Sequence, residues 1–149
     1  MNNGHYDFIE IGTSDFDTLI ELSDDNTVGL SIEPIRYYLD RLPNKKNVKK
    51  LQVAISDNDG HLDIYYIPDD KIQEHSLPWW VRGSNSINNP HPFTIKEIGE
   101  ELYNSIVTID RVPTISWDTL VKQENIQSID YLKIDTEGFD HVILKDYLK

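Results

Sequence analysis

The chain contains no cysteine, so disulfides and thiolate metal sites are excluded. No stretch approaches the ~20 consecutive apolar residues of a membrane helix, and no secretory signal is expected at the start. Basic residues are scarce, 14 Lys and Arg against 26 Asp and Glu, which leaves a net charge of −12. The densest basic cluster, Lys45, Lys46, Lys49 and Lys50, reads as a solvated surface. Nucleic-acid binding needs clustered cations to neutralise phosphate. The expectation is therefore no nucleic-acid partner, no membrane partner and a cytoplasmic location.

What is present is an α/β pattern, apolar runs alternating with amphipathic segments over 149 residues, enough for a single compact domain. Tyr6 to Ile11, Val28 to Ile32 and Leu51 to Ile55 read as strands, with helices at Asp15 to Leu22 and from Pro34 to Leu42. Ser14 or Asp15 is the expected cap of the first helix, and Phe16, Leu19, Ile20 and Leu22 its inner face. Asp59-Gly60 signals a hairpin into Leu62 to Ile67. Residues 68–93 read as irregular, and 68–105 as a variable insertion or lid. Thr94 to Glu97 has a capping-box pattern for a helix to about Tyr103. A strand at Ile106 to Ile109, a helix from Ser116 or Trp117 to about Glu124, a short buried strand at Tyr131 to Ile134 and a helix at Gly138 to Leu148 follow. The last strand needs a further neighbour or becomes an edge. The expected sheet is thus a shortened one, with a homo-oligomer or another partner covering the edge near 131–134.

The most informative pair is Gly12, which ends the first apolar run, and Glu33, which ends the second, 21 residues later. An acid at that separation accepts hydrogen bonds from ribose hydroxyls in open α/β sheets. A dinucleotide site wants G-x-G-x-x-G, yet this turn reads Gly12-Thr13-Ser14-Asp15-Phe16-Asp17. Asp15 and Asp17 would repel a pyrophosphate at a helix N-terminus. They would not repel S-adenosylmethionine, which carries a sulfonium and an ammonium. The turn favours S-adenosylmethionine over NAD, although both carboxylates also suit a helix dipole. Ala54, Ile55 and Ser56 end the third strand, where an adenine ring would lie. Ligands bind beyond the carboxyl ends of such strands, which collects Gly12, Glu33, Ser56 and Asp135 on one rim.

Four blocks resemble the FkbM-type S-adenosylmethionine-dependent methyltransferases. They are Asp7 to Gly12; Ser31-Ile32-Glu33-Pro34; Asn47-Val48 with Ala54-Ile55-Ser56-Asp57 and Gly60; and Tyr131 to Gly138, which is similar to the family's Lys-Ile-Asp-x-Glu-Gly signature. The loop from Gly83 to Pro92, with Ser84, Ser86 and His91, is similar to a more variable loop of the family. The family's first turn usually reads Gly-Ala-Asn-x-Gly, where this chain has Gly-Thr-Ser-Asp-Phe. The resemblance implies a Rossmann-like class I methyltransferase fold, a three-layer sandwich with a mostly parallel sheet, spanning residues 1–149 and stopping after the fourth core strand and its helix.

It also implies S-adenosylmethionine as cofactor and methyl transfer to a small-molecule or sugar hydroxyl. The candidate cofactor contacts are Glu10, Gly12, Thr13, Ser14, Asp15, Glu33, Pro34, Ile55, Ser56 and Asp135. Asp135 and Glu137 are the catalytic candidates, Asp135 as base or orienting group; Glu137 also suits the start of the last helix. Lys133 suits pairing with an acid. Trp80, Arg82, Asn85 and Ser86, in a loop with adjacent tryptophans, are the candidate acceptor contacts. A divalent metal on Asp135 is not favoured, because no second and third ligand are evident, and the five histidines show no metal-ligand spacing. A non-catalytic binding or assembly module, or an inactive fragment of a larger methyltransferase, is the alternative. An NAD-dependent oxidoreductase is disfavoured by the glycine-poor turn.

Overall fold

The apolar run ahead of Gly12 becomes a central strand of the computed structural model, which describes residues 3–136 and 140–149. In chain order the first elements are β1 (His5–Ile11), α1 (Leu19–Leu22), β2 (Gly29–Ile32), α2 (Arg36–Leu39), β3 (Val48–Leu51), β4 (Ala54–Ser56) and β5 (Gly60–Tyr66). They are followed by α3 (Asp69–Glu74), a 3-10 turn (Trp79–Gly83), β6 (Ser86–Ile87), α4 (Pro92–Ile98) and α5 (Glu100–Ile106). The last are β7 (Thr108–Ser116), α6 (Trp117–Gln123), β8 (Ser128–Ile134) and α7 (Asp140–Tyr147). The chain divides into two compact units, Met1–Gly60 with Pro113–Lys149, and His61–Val112.

The first unit holds a four-stranded sheet in the order β3-β2-β1-β8, with every pair parallel. Parallel sheets are stable when both faces are covered, and the sequence supplies both covers. Ile9, Ile11, Leu30 and Ile32 pack with Trp117, Leu120 and Ile143. Phe8 packs on the other face with Ile20, Leu39, Leu42 and Val48. Fully burying each such side chain contributes about 1.5–3 kcal/mol. The Phe8 ring lies where a Cβ on its strand neighbour Gly29 would be, so β2 starts with the residue that leaves room for it. Parallel strands between two helical layers make this a Rossmann-like α/β fold. Among the described residues β8 pairs only with β1, so it is an edge, and Tyr131 on it is 57% exposed rather than buried.

In the second unit β5 pairs antiparallel with β6, Ile64 opposite Ile87. Its core gathers Ile67, Ile72, Val81, Tyr103 and Ile106.

Several local expectations fail for identifiable reasons. The first helix is only Leu19–Leu22, because Ser14 and Asp17 adopt positive φ (51° and 54°) and cannot continue a right-handed helix. Its N-cap is Thr18, with no side-chain cap bond, and Phe16 and Leu22 are exposed. The expected third strand is two strands: β3 pairs with β2, while β4 pairs in parallel with β7. No hairpin forms across Asp59-Gly60. The Asp59 carboxylate instead accepts from Ser116 N at 2.8 Å and Thr119 Oγ1 at 2.8 Å, holding the start of α6. The expected helix from Thr94 begins earlier and is broken by Gly99 at φ 90°. His91 caps it, its Nδ1 accepting from Thr94 N at 3.2 Å, and burial lowers the imidazole pKa, which favours that acceptor form.

Candidate functional site

Three neighbouring strand ends converge. The Gly12 amide donates to Ile32 O at 2.9 Å, Asp135 N donates to Ile11 O at 2.9 Å, and Glu33 N donates to Leu51 O at 3.1 Å. The parallel register therefore places the residues after β1, β2 and β8 side by side. Gly12 is required there twice over. Its φ is +79°, and an added Cβ would run into the Asp135 carbonyl.

Glu33 is 4% exposed, and its two carboxylate oxygens accept from different backbone amides. Ser14 N donates to Oε2 at 2.8 Å and Ile35 N to Oε1 at 2.9 Å. Burial pushes its pKa up to about 7; the Ile35 and Ser14 amides oppose the rise, and the charge of Asp15 adds to it. A carboxylate oxygen has two lone pairs, so each keeps one for a further donor. The positive φ of Ser14 turns its amide back onto Glu33. Ser14 Oγ is buried without a partner in the same turn, an arrangement that favours an additional polar group close by. Thr13 is also buried, its hydroxyl donating to Ser14 O at 2.9 Å. Pro34 O accepts from Gln52 Nε2 at 3.4 Å.

One acid of this turn, Asp15, is balanced by the chain itself. Asp15 has a nearly buried side chain paired with Arg41 at 3.3 Å, and Arg41 also lies over the Tyr37 ring at 4.4 Å. Glu10 is fully buried in β1, opposite Lys133 in β8. Lys133 Nζ donates to Glu10 Oε1 at 2.9 Å and to Asp17 O at 2.8 Å, while Leu19 N donates to Glu10 Oε2 at 2.9 Å. Glu10 and Lys133 thus pin the turn from both ends, and Lys133 finds the acid that its sequence context suggests.

Asp135 stands exposed at the end of β8, next to Gly12 through its backbone. Ile55 and Ser56 are buried at the end of β4, where Ser56 Oγ donates to Asp57 Oδ1 at 3.2 Å. Because β4 pairs with β7, Ser56 does not continue the row formed by Gly12, Glu33 and Asp135 in the other sheet. Glu137 and Gly138 lie outside the described residues.

The candidate acceptor contacts all belong to the second unit. Trp80 packs against Phe93 with ring centroids 5.3 Å apart. Arg82 is committed within that unit, its Nε donating to both Asp69 oxygens at 2.9 and 3.0 Å. Ser86 Oγ donates to Asn89 O at 2.6 Å, and Asn85 Oδ1 is buried without a partner.

The methyltransferase FkbM domain matches residues 4–148. The chain belongs to the FkbM methyltransferase family. No curated protein and no solved structure matches it. Family membership and the four-stranded parallel sheet agree on a Rossmann-like methyltransferase. None of the described helices is long and apolar enough to cross a membrane. One residue at the turn escaped the sequence reading: Arg41, which follows α2 and pairs with Asp15 at 3.3 Å.

Proposed function

We propose that this FkbM methyltransferase uses S-adenosylmethionine to methylate a hydroxyl of a small molecule or sugar. The observation that carries the reading is Glu33: a buried acid after β2, held by Ser14 N and Ile35 N, with a free lone pair on each oxygen. That arrangement suits the two hydroxyls of a ribose. Glu33 would take the ribose, and Thr13 and Ser14 the methionine side; Ile55 and Ser56 end a strand of the other sheet and are not counted in this row. The bound cofactor supplies an activated methyl group on a sulfonium.

The chain's own work is then orientation. Near-attack placement of both partners can supply most of the acceleration in such a displacement. Asp135 is exposed beside Gly12, where a carboxylate would orient an acceptor hydroxyl and take its proton as the oxygen attacks. A second reading, a binding module without turnover, uses the same rim and is favoured by the open edge of β8.

Calorimetric titration with S-adenosylmethionine, S-adenosylhomocysteine and NAD tests the cofactor. Both adenosyl compounds bind and NAD does not; binding of NAD alone refutes the reading. Glu33→Ala weakens S-adenosylhomocysteine by about 1.5–3 kcal/mol, the range for hydrogen bonds to a charged group. A screen of sugars and other hydroxyl compounds for methyl transfer separates the enzyme from the module.

A further inference from the structure

At the amino ends of β1 and β8, far from the Glu33 rim, two carboxylates face each other across the sheet. His5 is paired with Ser128, Tyr6 with Ile129 and Phe8 with Tyr131, so Asp7 stands opposite Asp130. Like charges directly opposite on neighbouring strands are destabilising, and this chain already carries a net charge of −12. The His5 imidazole faces both acids. Its Nε2 lies 3.7 Å from Asp7 Oδ1 and 3.4 Å from Asp130 Oδ2. These separations are longer than an ordinary N–H···O bond of about 2.7–3.2 Å. They are close to the edges of a tetrahedron around one ion, the longer exceeding them by about 0.1 Å. With metal–ligand distances of about 2.0–2.2 Å, tetrahedral ligand atoms lie roughly 3.3–3.6 Å apart. The three ligand atoms all fall within 4.8 Å of one another.

The ligands are also oriented from behind. His5 Nδ1 is bonded to Ser128 Oγ at 2.8 Å, which directs Nε2 towards the acids. Asp7 Oδ2 accepts from Val28 N at 2.7 Å, which leaves Oδ1 facing the imidazole. Outer partners of this kind fix the ring and the carboxylate of metal sites.

We propose that His5, Asp7 and Asp130 bind a divalent first-row transition ion of the zinc type, with water completing the shell. One imidazole and two carboxylates suit zinc, whereas magnesium and calcium prefer all-oxygen shells. The ion neutralises the facing carboxylates and fastens the edge strand β8 to β1. Along β1 the site lies roughly 15–25 Å from Gly12 at ~3.3 Å per residue, so its role is structural and independent of methyl transfer. No spacing rule discloses it, because Asp130 comes from a strand distant in sequence.

The test is calorimetric titration of the untagged, chelator-stripped chain with zinc chloride. The expected result is saturable 1:1 binding, weakened by at least about tenfold in His5→Ala and in Asp130→Asn, and by about tenfold in Ser128→Ala through loss of ring orientation. Zinc raises the melting temperature of the parent and not that of His5→Ala, as selective binding to the folded state requires. Cobalt(II) in place of zinc gives a visible absorption band that His5→Ala abolishes. All four side chains lie at the surface, and circular dichroism confirms that the variants fold. Equal zinc affinity in His5→Ala, no saturable binding by the parent, or displacement of zinc by an equal concentration of magnesium overturns the proposal.

Discussion

Replacing Glu33 with Gln separates its proton from its shape. The Glu33 side chain is 4% exposed, and burial raises its pKa from 4.5 to about 7. Between those values the native chain holds a proton at Glu33 that the unfolded chain has lost. Folding stability from this group is therefore fully present below 4.5 and is lost as pH rises through 7. At 1.36 kcal/mol for each pH interval, the whole contribution is about 3 kcal/mol. Gln has no proton to lose, so its stability carries no such slope. It also presents an amide nitrogen to one of the two donors, Ser14 N or Ile35 N. Leaving a buried donor unpaired costs about 1–3 kcal/mol, largely independent of pH. The assay is urea unfolding of parent and variant at pH 5, 6, 7 and 8, with m-values checked for constancy. Subtracting the two curves cancels the titration of the other acids. The parent's advantage is expected to shrink by about 2–3 kcal/mol from pH 5 to pH 8. Parallel curves would refute the buried, protonated Glu33.

Three further outcomes follow from the same frame. S-adenosylhomocysteine binds more tightly above pH 7 than at pH 6, because the carboxylate accepts from both ribose hydroxyls more strongly than the protonated acid, one oxygen of which carries a proton; titration in buffers of different ionisation enthalpy shows proton release, and a pH-independent affinity refutes the ribose role. Gly12→Ala loses at least about 2 kcal/mol from its positive φ and the collision with the Asp135 carbonyl, whereas Gly83→Ala, with open space around its Cβ, changes stability by less than about 1 kcal/mol; equal losses in urea melts contradict this. Lys133→Met leaves the fully buried Glu10 without its cation and costs about 3 kcal/mol; adding Glu10→Gln recovers part of the loss by the double-mutant cycle, and no recovery rejects the pairing as its cause.

The fold is legible in the sequence wherever a segment has only one way to bury its apolar residues. Phe8, Ile9 and Ile11 have buried positions on both sides of a strand, as an apolar run between two helical layers implies. The reading fails where the backbone departs from a regular element. Nothing in Ser14-Asp15-Phe16-Asp17 announces two residues at positive φ, and a polar cap followed by spaced apolar residues reads as a helix. The same holds at Asp59-Gly60. A turn dipeptide carries a local signal only, and β4 takes a partner, β7, from much later in the chain. Register and partner choice are long-range properties that no local window contains.

The site divides along the same line. Gly12 and Glu33 were legible because a sheet's carboxyl edge imposes a spacing on them, and the structure brings their backbones together. The acidic turn was legible only in sign. Asp15 and Asp17 argue against a pyrophosphate while their charges are counted as free, yet Asp15 is paired with Arg41, and Lys133 bonds to Asp17 O and to Glu10. Part of the acidity that speaks for a sulfonium is therefore already balanced inside the protein. The weight of the cofactor reading shifts accordingly, from the turn's net charge to the two lone pairs left on Glu33, which depend on hydrogen-bond geometry and on no charge count. A ligand that fills those positions must bring two hydrogen-bond donors, which the adjacent hydroxyls of a ribose supply, and this makes the ribose the part of the cofactor on which the reading stands or falls.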